Sequence, residues 1–250
     1  MDMQGHEGHE CLECRNLSFS YEKNVSVLKE LTFHVHKHET VGLIGANGAG
    51  KSTLMRILVG LELGYEGTVT VESVPVVKNH LPEIREKLGY VFQDSDSQLF
   101  MSTVYEDIAF APKNYGLSET EVEARVNEAL DMIDIQYLRD KKTYRMSGGE
   151  KKMAALATIL AMKPSIMLMD EPTVALDPRN RRILINVLNS LDQGKLIASH
   201  DLDMVWDTCS RVLLLSHGEI VEYGPTEEIL SNQKLLEANG LELPLSLLKR

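Results

Sequence analysis

Residues 45–53, Gly-Ala-Asn-Gly-Ala-Gly-Lys-Ser-Thr, fit the pattern G-x-x-x-x-G-K-[ST], whose chemistry is the capture of phosphate groups. Along Gly45, Ala46, Asn47, Gly48, Ala49 and Gly50 the glycines let successive backbone N–H groups curl around anionic oxygens. A helix opening just after the loop adds partial positive charge. Lys51 is suited to the outer phosphates and the Ser52 hydroxyl to a Mg2+ ion, with Thr53 at the end of the motif. A second group, Asp170-Glu171, ends the apolar run 166–169. Extended backbone would turn these neighbours to opposite sides, so that Asp170 faces the Mg2+ shell and Glu171 faces a water aligned on a terminal phosphate. One carboxylate then holds metal while the other acts as base.

Two further polar residues also follow apolar runs: Gln93 after Tyr90-Val-Phe92, and His200 after 196–199. Either alone reads as a surface residue. If the runs are parallel strands of one sheet, their carboxyl ends lie on one edge, where ligands of open α/β sheets bind. Lys51, Gln93, Asp170, Glu171 and His200 then converge, and that joint placement argues for a site.

The elements that must position these groups follow from the hydrophobic pattern. The runs 41–44, 90–92, 166–169, 196–198 and 212–215 are nearly continuous, as in strands buried on both faces, and form the expected core sheet. Leu17, Phe19 and Tyr21 alternate with polar residues, and the segments 27–35 and 68–71 are rich in β-branched residues, which together read as an antiparallel flank. A helix is expected over 54–61. From 94 to 162 the pattern is helical: Ser118-Glu-Thr-Glu121 is a capping box, followed by Val122, Val126, Ala129, Leu130 and Ile133 at helical spacing. This stretch reads as an inserted helical subdomain. After Leu215 come a turn at His217-Gly218, a short strand 220–223, the breaker Gly224-Pro225 and a helical tail to Arg250. The expected organisation is a polar tail 1–11, a main domain 12–230 and a C-terminal helical tail 231–250.

Ser147-Gly-Gly-Glu150 opens another helix with its own capping box. Two glycines inside a first turn cost on the order of 1 kcal/mol each relative to alanine, so bare backbone is wanted there, and a second anion cradle accounts for it. The segment belongs to the helical insert, away from its own Lys51. Two copies arranged head to tail resolve this, each covering the other's phosphates.

The chain has 250 residues, 26 Lys+Arg against 37 Asp+Glu, and a formal charge of −11. Such acidity argues against nonspecific nucleic-acid binding, so a polyanion must be held by a local device such as the 45–53 loop. The longest mostly apolar run, 153–162, is half of what a membrane span needs. The polar N-terminus lacks the order of a secretory signal and three cysteines make no disulfide framework; an intracellular protein is expected.

Taken together and in order, Tyr21, the loop 45–53, Gln93, Met146-Ser-Gly-Gly-Glu150, Asp170-Glu171, Ala175-Leu-Asp177 and His200 resemble the motifs of the ATP-binding-cassette (ABC) ATPases over about residues 12–230. The segments 92–100, 103–110 and 147–152 are similar to the ATPase subunits of energy-coupling-factor importers, particularly the cobalt and nickel branch. The resemblance implies the α/β phosphate-loop NTPase fold of the ABC ATPases and a pair of ATP molecules sandwiched between two cassettes. Tyr21 then stacks on adenine, Ser52 and Gln93 ligate Mg2+, and Asp170 acts on it through water. Glu171 is the base, His200 contacts the γ-phosphate, and Ser147, Gly149 and Asp177 complete the partner's site. The partners implied are a second copy or a related ABC ATPase, and integral membrane transporter subunits, one of whose helices docks on the helical subdomain. The place implied is the cytoplasmic face of the membrane. Met146, Val174 and Glu150 depart from the usual residues without removing a catalytic group. The competing reading is a soluble ABC ATPase acting as an assembly scaffold or regulator.

Other conspicuous residues read more simply. His6, His9, Cys11 and Cys14 repeat no known metal-ligand spacing. His34, His36 and His38 alternate and are expected on one solvated strand face. Met153, Met162, Met167 and Met169 are expected in the core, with Trp206 packed in the helix after His200.

Overall fold

Alternation along the central strands decides the layering. In β7 (Ile166–Asp170), Ile166 and Leu168 join one buried cluster while Met167 and Met169 join another. In β9 (Arg211–Ser216), Leu213 and Leu215 likewise separate from Val212 and Leu214. A sheet apolar on both faces must be covered on both, and it is, by a second sheet together with the helices that carry Leu54 and Ile84 on one side and by the remaining helices on the other. The computed structural model describes residues 10–22 and 25–248.

The covering sheet is antiparallel, with β1 (Glu10–Glu22), β2 (Val25–His36), β4 (Glu66–Val71) and β5 (Val74–Pro75) in the order β2-β1-β4-β5. The central sheet adds β3 (Thr40–Ile44), β6 (Leu88–Val91), β8 (Gly194–Ala198) and β10 (Glu219–Pro225), in the order β10-β9-β3-β8-β7-β6. The five expected core strands are all parallel. The sixth, β10, pairs antiparallel with β9 through Pro225, so Gly224-Pro225 ends a sheet strand rather than breaking before a tail.

The phosphate-loop helix α1 is Lys51–Leu58, and α2 is Leu81–Lys87. The helical insert holds α3 (Val104–Asn114), α4 (Glu119–Met132) and α5 (Gly148–Met162), packed on one another, with α5 also against β6. Capping boxes form at Thr103/Glu106, Ser118/Glu121 and Ser147/Glu150. After the strands come α6 (Pro178–Ser190), α7 (Leu202–Thr208), α8 (Thr226–Leu230) and α9 (Gln233–Ala238). No helix among the described residues is long and apolar enough to cross a membrane.

Several local expectations are corrected. α1 starts three residues before the apolar run, at Lys51, because the loop feeds straight into it, and it stops short of Gly60 (φ 70°). β1 takes in Glu10 and the buried Cys11, which the pattern assigned to a tail. β2 ends at His36, and His38 lies in a turn with φ 65°, so only His34 and His36 share a face, their rings 4.5 Å apart. Regular helix in the tail ends at Ala238, followed by a single 3-10 turn at Leu245–Leu247. Met153, Met167 and Met169 are buried, while Met162 and Trp206 pack half-buried on the same core.

Candidate active site

Register brings the strand ends level. Leu43, Ala198 and Asp170 stand in one row of the sheet, and Val91 pairs with Met169 one step behind. Beyond that row each chain leaves the sheet into a polar segment. The segments from β3, β6, β7 and β8 meet around a cavity of about 490 Å³ lined by residues 47–53, Gln93, Asp170, Glu171 and His200, together with Val27 and Val174. The convergence expected from four apolar runs is thus present, across 149 residues between Lys51 and His200.

The loop itself needs glycine at two points. Gly45 has φ 153°, and a Cβ there would lie 2.2 Å from the Leu215 carbonyl oxygen. Gly50, the residue before α1, has φ 110° and its Cβ would lie 2.7 Å from the Leu28 side chain. Around this turn Lys51 folds inward. Its Nζ donates to the carbonyls of Gly45 (2.6 Å) and Ala46 (3.2 Å) and lies 3.3 Å from His200 Nε2. Burial lowers the proton affinity of Lys51, and the charges of Glu171 and Asp170 oppose that shift. Ser52 is exposed in the cavity wall.

The two carboxylates are placed differently from the extended expectation. The strand ends at Asp170, and Glu171 turns into the left-handed region with φ 47°. Its N–H still donates to the Ala198 carbonyl (2.9 Å). The result is two buried carboxylates, each 6% exposed, in one wall. Glu171 is oriented by the next strand: its Oε2 accepts from the His200 N–H (3.1 Å) and the Ser199 hydroxyl (3.4 Å), and its Oε1 lies 3.5 Å from His200 Nε2. Burial, then repulsion from Glu171, pushes the Asp170 carboxyl above its ordinary range, against the pull of Lys51, Lys152 and the Tyr90 hydroxyl. Backbone in the left-handed region is costly for a non-glycine residue and is found where neighbouring structure enforces it, often at functional sites.

Ser52, Gln93 and Asp170 offer only oxygen donors, the chemistry a small hard cation such as Mg2+ requires. Two adjacent buried carboxylates, one with raised proton affinity, also leave negative charge that a divalent cation would neutralise. The residues present therefore fit a Mg2+ ion.

Other expected residues lie outside this cavity. Tyr21 stands at its rim, half-exposed, with its hydroxyl 3.3 Å from Thr53 Oγ1. Ser147 caps α5, accepting from the Glu150 N–H (3.3 Å), while Glu150 is paired with Lys141 (2.7 Å). Asp177 caps α6 by accepting from Arg179 N (2.9 Å) and Asn180 N (3.0 Å). Ser147, Gly149 and Asp177 do not line the cavity. A Cβ on Gly149 would lie 3.0 Å from the Ala175 carbonyl oxygen, so part of the demand for bare backbone there comes from the chain's own loop.

Three supporting residues escape a motif reading. Ser199 orients Glu171, and the Tyr90 hydroxyl favours the charged form of Asp170. Lys152 donates to the carbonyls of Phe92 (3.0 Å) and Gln93 (2.7 Å). Only Lys152 left a signal: it precedes Leu156 by four residues and so shares the buried face of α5. Cys11 and Cys14 are buried in β1, and burial pushes both thiols up to about 12, which keeps them protonated and poor metal ligands. His6 and His9 lie outside the described residues. No cluster of three or more His, Cys, Asp or Glu among the described residues is arranged for a metal.

Comparison with known proteins places the chain in a family. Residues 28–174 match the family model described as ABC transporter. A Geobacter sulfurreducens protein named for the same family is 46% identical over 239 residues, covering 96% of both chains. The energy-coupling factor transporter ATP-binding protein EcfA of Carboxydothermus hydrogenoformans is 40% identical over 94% of this chain and 87% of its own length. Among solved structures, cbiO1 of Clostridium perfringens, described as part of the ABC transporter complex cbiONQ, superposes with a TM-score of 0.81 at 32% identity, covering 92% of this chain and 94% of that one. A dimeric ATP-binding cassette in a post-hydrolysis state bound to ADP and Pi superposes with a TM-score of 0.78 at 25% identity, covering 86% of this chain and 98% of that one.

Proposed function

The chain belongs to the ABC transporter family of ATP-binding proteins, and from that premise we propose that two copies, or one copy and a related cassette, close over two ATP molecules to drive a membrane importer. It is an ABC-type ATPase that energises a transporter. The observation that carries the two-subunit reading is the division of the motifs. Lys51, Gln93, Asp170, Glu171 and His200 line one cavity, whereas Ser147, Gly149 and Asp177 line none of it. The second set is then free to complete a partner's site.

In this reading the 45–53 loop and the start of α1 hold the phosphates and Tyr21 stacks on adenine. Ser52 and Gln93 would hold Mg2+, with Asp170 acting through water, and the ion would supply charge neutralisation for the phosphates. Glu171, pinned through one oxygen by His200 N–H and Ser199, offers the other to a water aligned on the γ-phosphate and takes its proton. His200 orients that phosphate. The helical subdomain receives a helix of the membrane subunit, so closure over ATP moves the transport pathway. That arrangement puts the chain peripherally on the cytoplasmic face. Similarity to EcfA and to cbiO1 supports an importer, and the resemblance to the cobalt and nickel branch favours a transition-metal ion as cargo.

The test is Glu171→Gln. It is expected to retain ATP binding, to lower hydrolysis by about 10²–10⁴, the usual worth of a general base, and to accumulate a dimer in Mg·ATP seen by light scattering. A variant that stays monomeric at saturating ATP rules out the shared site. Recovery from native membranes with a polytopic subunit supports the importer, and recovery only in soluble complexes supports the scaffold.

A further inference from the structure

Lys152 is 3% exposed, on a helix otherwise packed by Met153, Ala154, Ala155 and Leu156. Burying an ammonium is expensive unless its donors are used, and here they are used on one short stretch of main chain, the carbonyls of Phe92 and Gln93. Burial lowers its proton affinity, while Asp170, Glu171 and Asp94 oppose that shift and favour the charged form. The same stretch is fastened to α5 at two more points. Gln98 accepts from Phe92 N (3.2 Å) and donates to Ala155 O (2.7 Å) and Thr158 Oγ1 (2.9 Å), and Lys151 pairs with Asp96. Residues 92–98 therefore ride on α5 as one body. The first turn of α5 is Gly148-Gly149-Glu150, the end that the proposed function assigns to the partner's nucleotide.

We propose that Lys152 is a positioning residue for Gln93, tying the metal ligand of one nucleotide site to the helix whose N-terminus closes the other. The inference rests on the reading of Gln93 as a Mg2+ ligand. A displacement of α5 on closure is transmitted to the Gln93 backbone through the Lys152 ammonium, and without that link the segment is still fastened to α5 through Gln98 and Asp96, but not at Gln93 itself.

A second buried lysine provides the control. Lys195, 2% exposed, donates to Leu191 O (2.6 Å) and Gln193 O (2.9 Å) beside the amino end of β8, at the sheet edge opposite the cavity. Both lysines hold backbone; only Lys152 holds backbone that carries a proposed ligand.

The experiment measures Mn2+ binding by electron paramagnetic resonance in the full chain saturated with the non-hydrolysable analogue AMP-PNP. Removing an outer-shell partner of a metal site typically costs about 10- to 100-fold in metal affinity, so Lys152→Met is expected to weaken Mn2+ about 10-fold, with Lys152→Arg recovering most of it. Lys152→Gln, too short to span the same distance, should behave like Lys152→Met and replaces it if that variant fails to fold. If Lys152 acts through Gln93, the Lys152→Met/Gln93→Ala double variant binds Mn2+ no more weakly than Gln93→Ala alone. Lys195→Met should lower thermal stability with Mn2+ affinity unchanged. Wild-type Mn2+ affinity in Lys152→Met and Lys152→Gln, beside weakened binding in Gln93→Ala, overturns the positioning role, as do effects that multiply in the double variant. Wild-type affinity in Gln93→Ala removes the premise itself, a result distinct from the other two.

Discussion

Lys51 Nζ stands 3.3 Å from His200 Nε2, and Glu171 Oε1 stands 3.5 Å from the same nitrogen. The imidazole is thus held between the ammonium of the phosphate loop and the carboxylate proposed as base. Lys51 spends its other contacts on the carbonyls of Gly45 and Ala46, so the loop is closed on its own lysine, and an arriving triphosphate competes with these contacts for the ammonium. Hydrogen bonds to charged groups contribute about 1.5–3 kcal/mol each. Lys51→Ala should therefore weaken ATP binding about 10- to 100-fold, while His200→Ala should leave binding nearly intact and lower kcat. Calorimetric titration with ATP, set beside steady-state hydrolysis, separates the two effects. Unchanged affinity in Lys51→Ala would remove the phosphate-loop assignment.

Gly149 separates a structural from a functional demand for glycine. Alanine there gains up to about 1 kcal/mol of helix propensity, but its Cβ meets the Ala175 carbonyl at 3.0 Å, a contact the loop must yield to by a few tenths of an ångström. The two effects oppose each other, and stability is expected to stay within about 1 kcal/mol of wild type. If the same backbone faces the partner's phosphates, Gly149→Ala should still lower hydrolysis at least tenfold with ATP affinity retained. Urea unfolding and hydrolysis assays on one preparation check both halves, and full activity would leave Gly149 a packing residue only.

Asp201, next to His200, caps α7 by accepting from Met204 N (2.9 Å) and makes a two-point contact with Arg181 of α6 (2.7 and 2.9 Å). Burial pushes its carboxyl up, but the Arg181 guanidinium and the Met204 N–H outweigh it and hold the carboxyl below its usual range. A carboxylate with a lowered native pKa stabilises the fold above its unfolded pKa, and that stabilisation is lost as pH falls through the native value. Arg181→Met should cost about 1–2 kcal/mol near neutral pH, the pair being partly exposed. The difference from wild type should shrink once pH falls below about 4. Denaturant titrations across that range decide it, and a pH-independent difference would assign the loss to packing of the arginine stem.

Much of this site was legible because a parallel sheet converts sequence position into spatial position. The apolar runs before Gly45, Gln93, Asp170 and His200 are strands with matched registers, so their next residues must meet. Glu171 was harder to place, since its left-handed backbone depends on the Ala198 and His200 contacts and on no local residue preference. The strand expected over 220–223 runs on through Pro225 for a related reason: its pairing with β9 is a tertiary event, and a half-exposed edge strand carries little apolar pattern by which to place its ends. His38 fails the face argument because alternation says nothing about where a strand stops. Lys152 was overlooked because a lysine at the edge of an apolar run looks like its boundary, although helical spacing puts it on the buried face.

The helical subdomain presents Phe100, 65% exposed, edge-on to the half-exposed Phe110 with ring centroids 4.8 Å apart. Its presentation is built in: the N–H groups of Phe100 and Met101 both donate to Asp107 Oδ1 (3.0 Å each), and Thr143 donates to Met101 O (2.8 Å). Asp107 is itself buried, so the turn that carries Phe100 is fixed from below. An exposed aromatic pair on a rigid turn suits burial by a partner helix, and fully burying one phenylalanine is worth about 1.5–3 kcal/mol. Phe100→Ser with Phe110→Ser should therefore weaken association with the solubilised membrane subunit by about 30-fold or more. Hydrolysis by the isolated chain should stay within about twofold, because neither ring lines the nucleotide cavity. Titration of the labelled chain against membrane subunit in detergent measures the first quantity and a phosphate-release assay the second. Undiminished association would move the docking site off this turn, and a collapse of isolated activity would mean that the pair supports the fold of α3 rather than a partner.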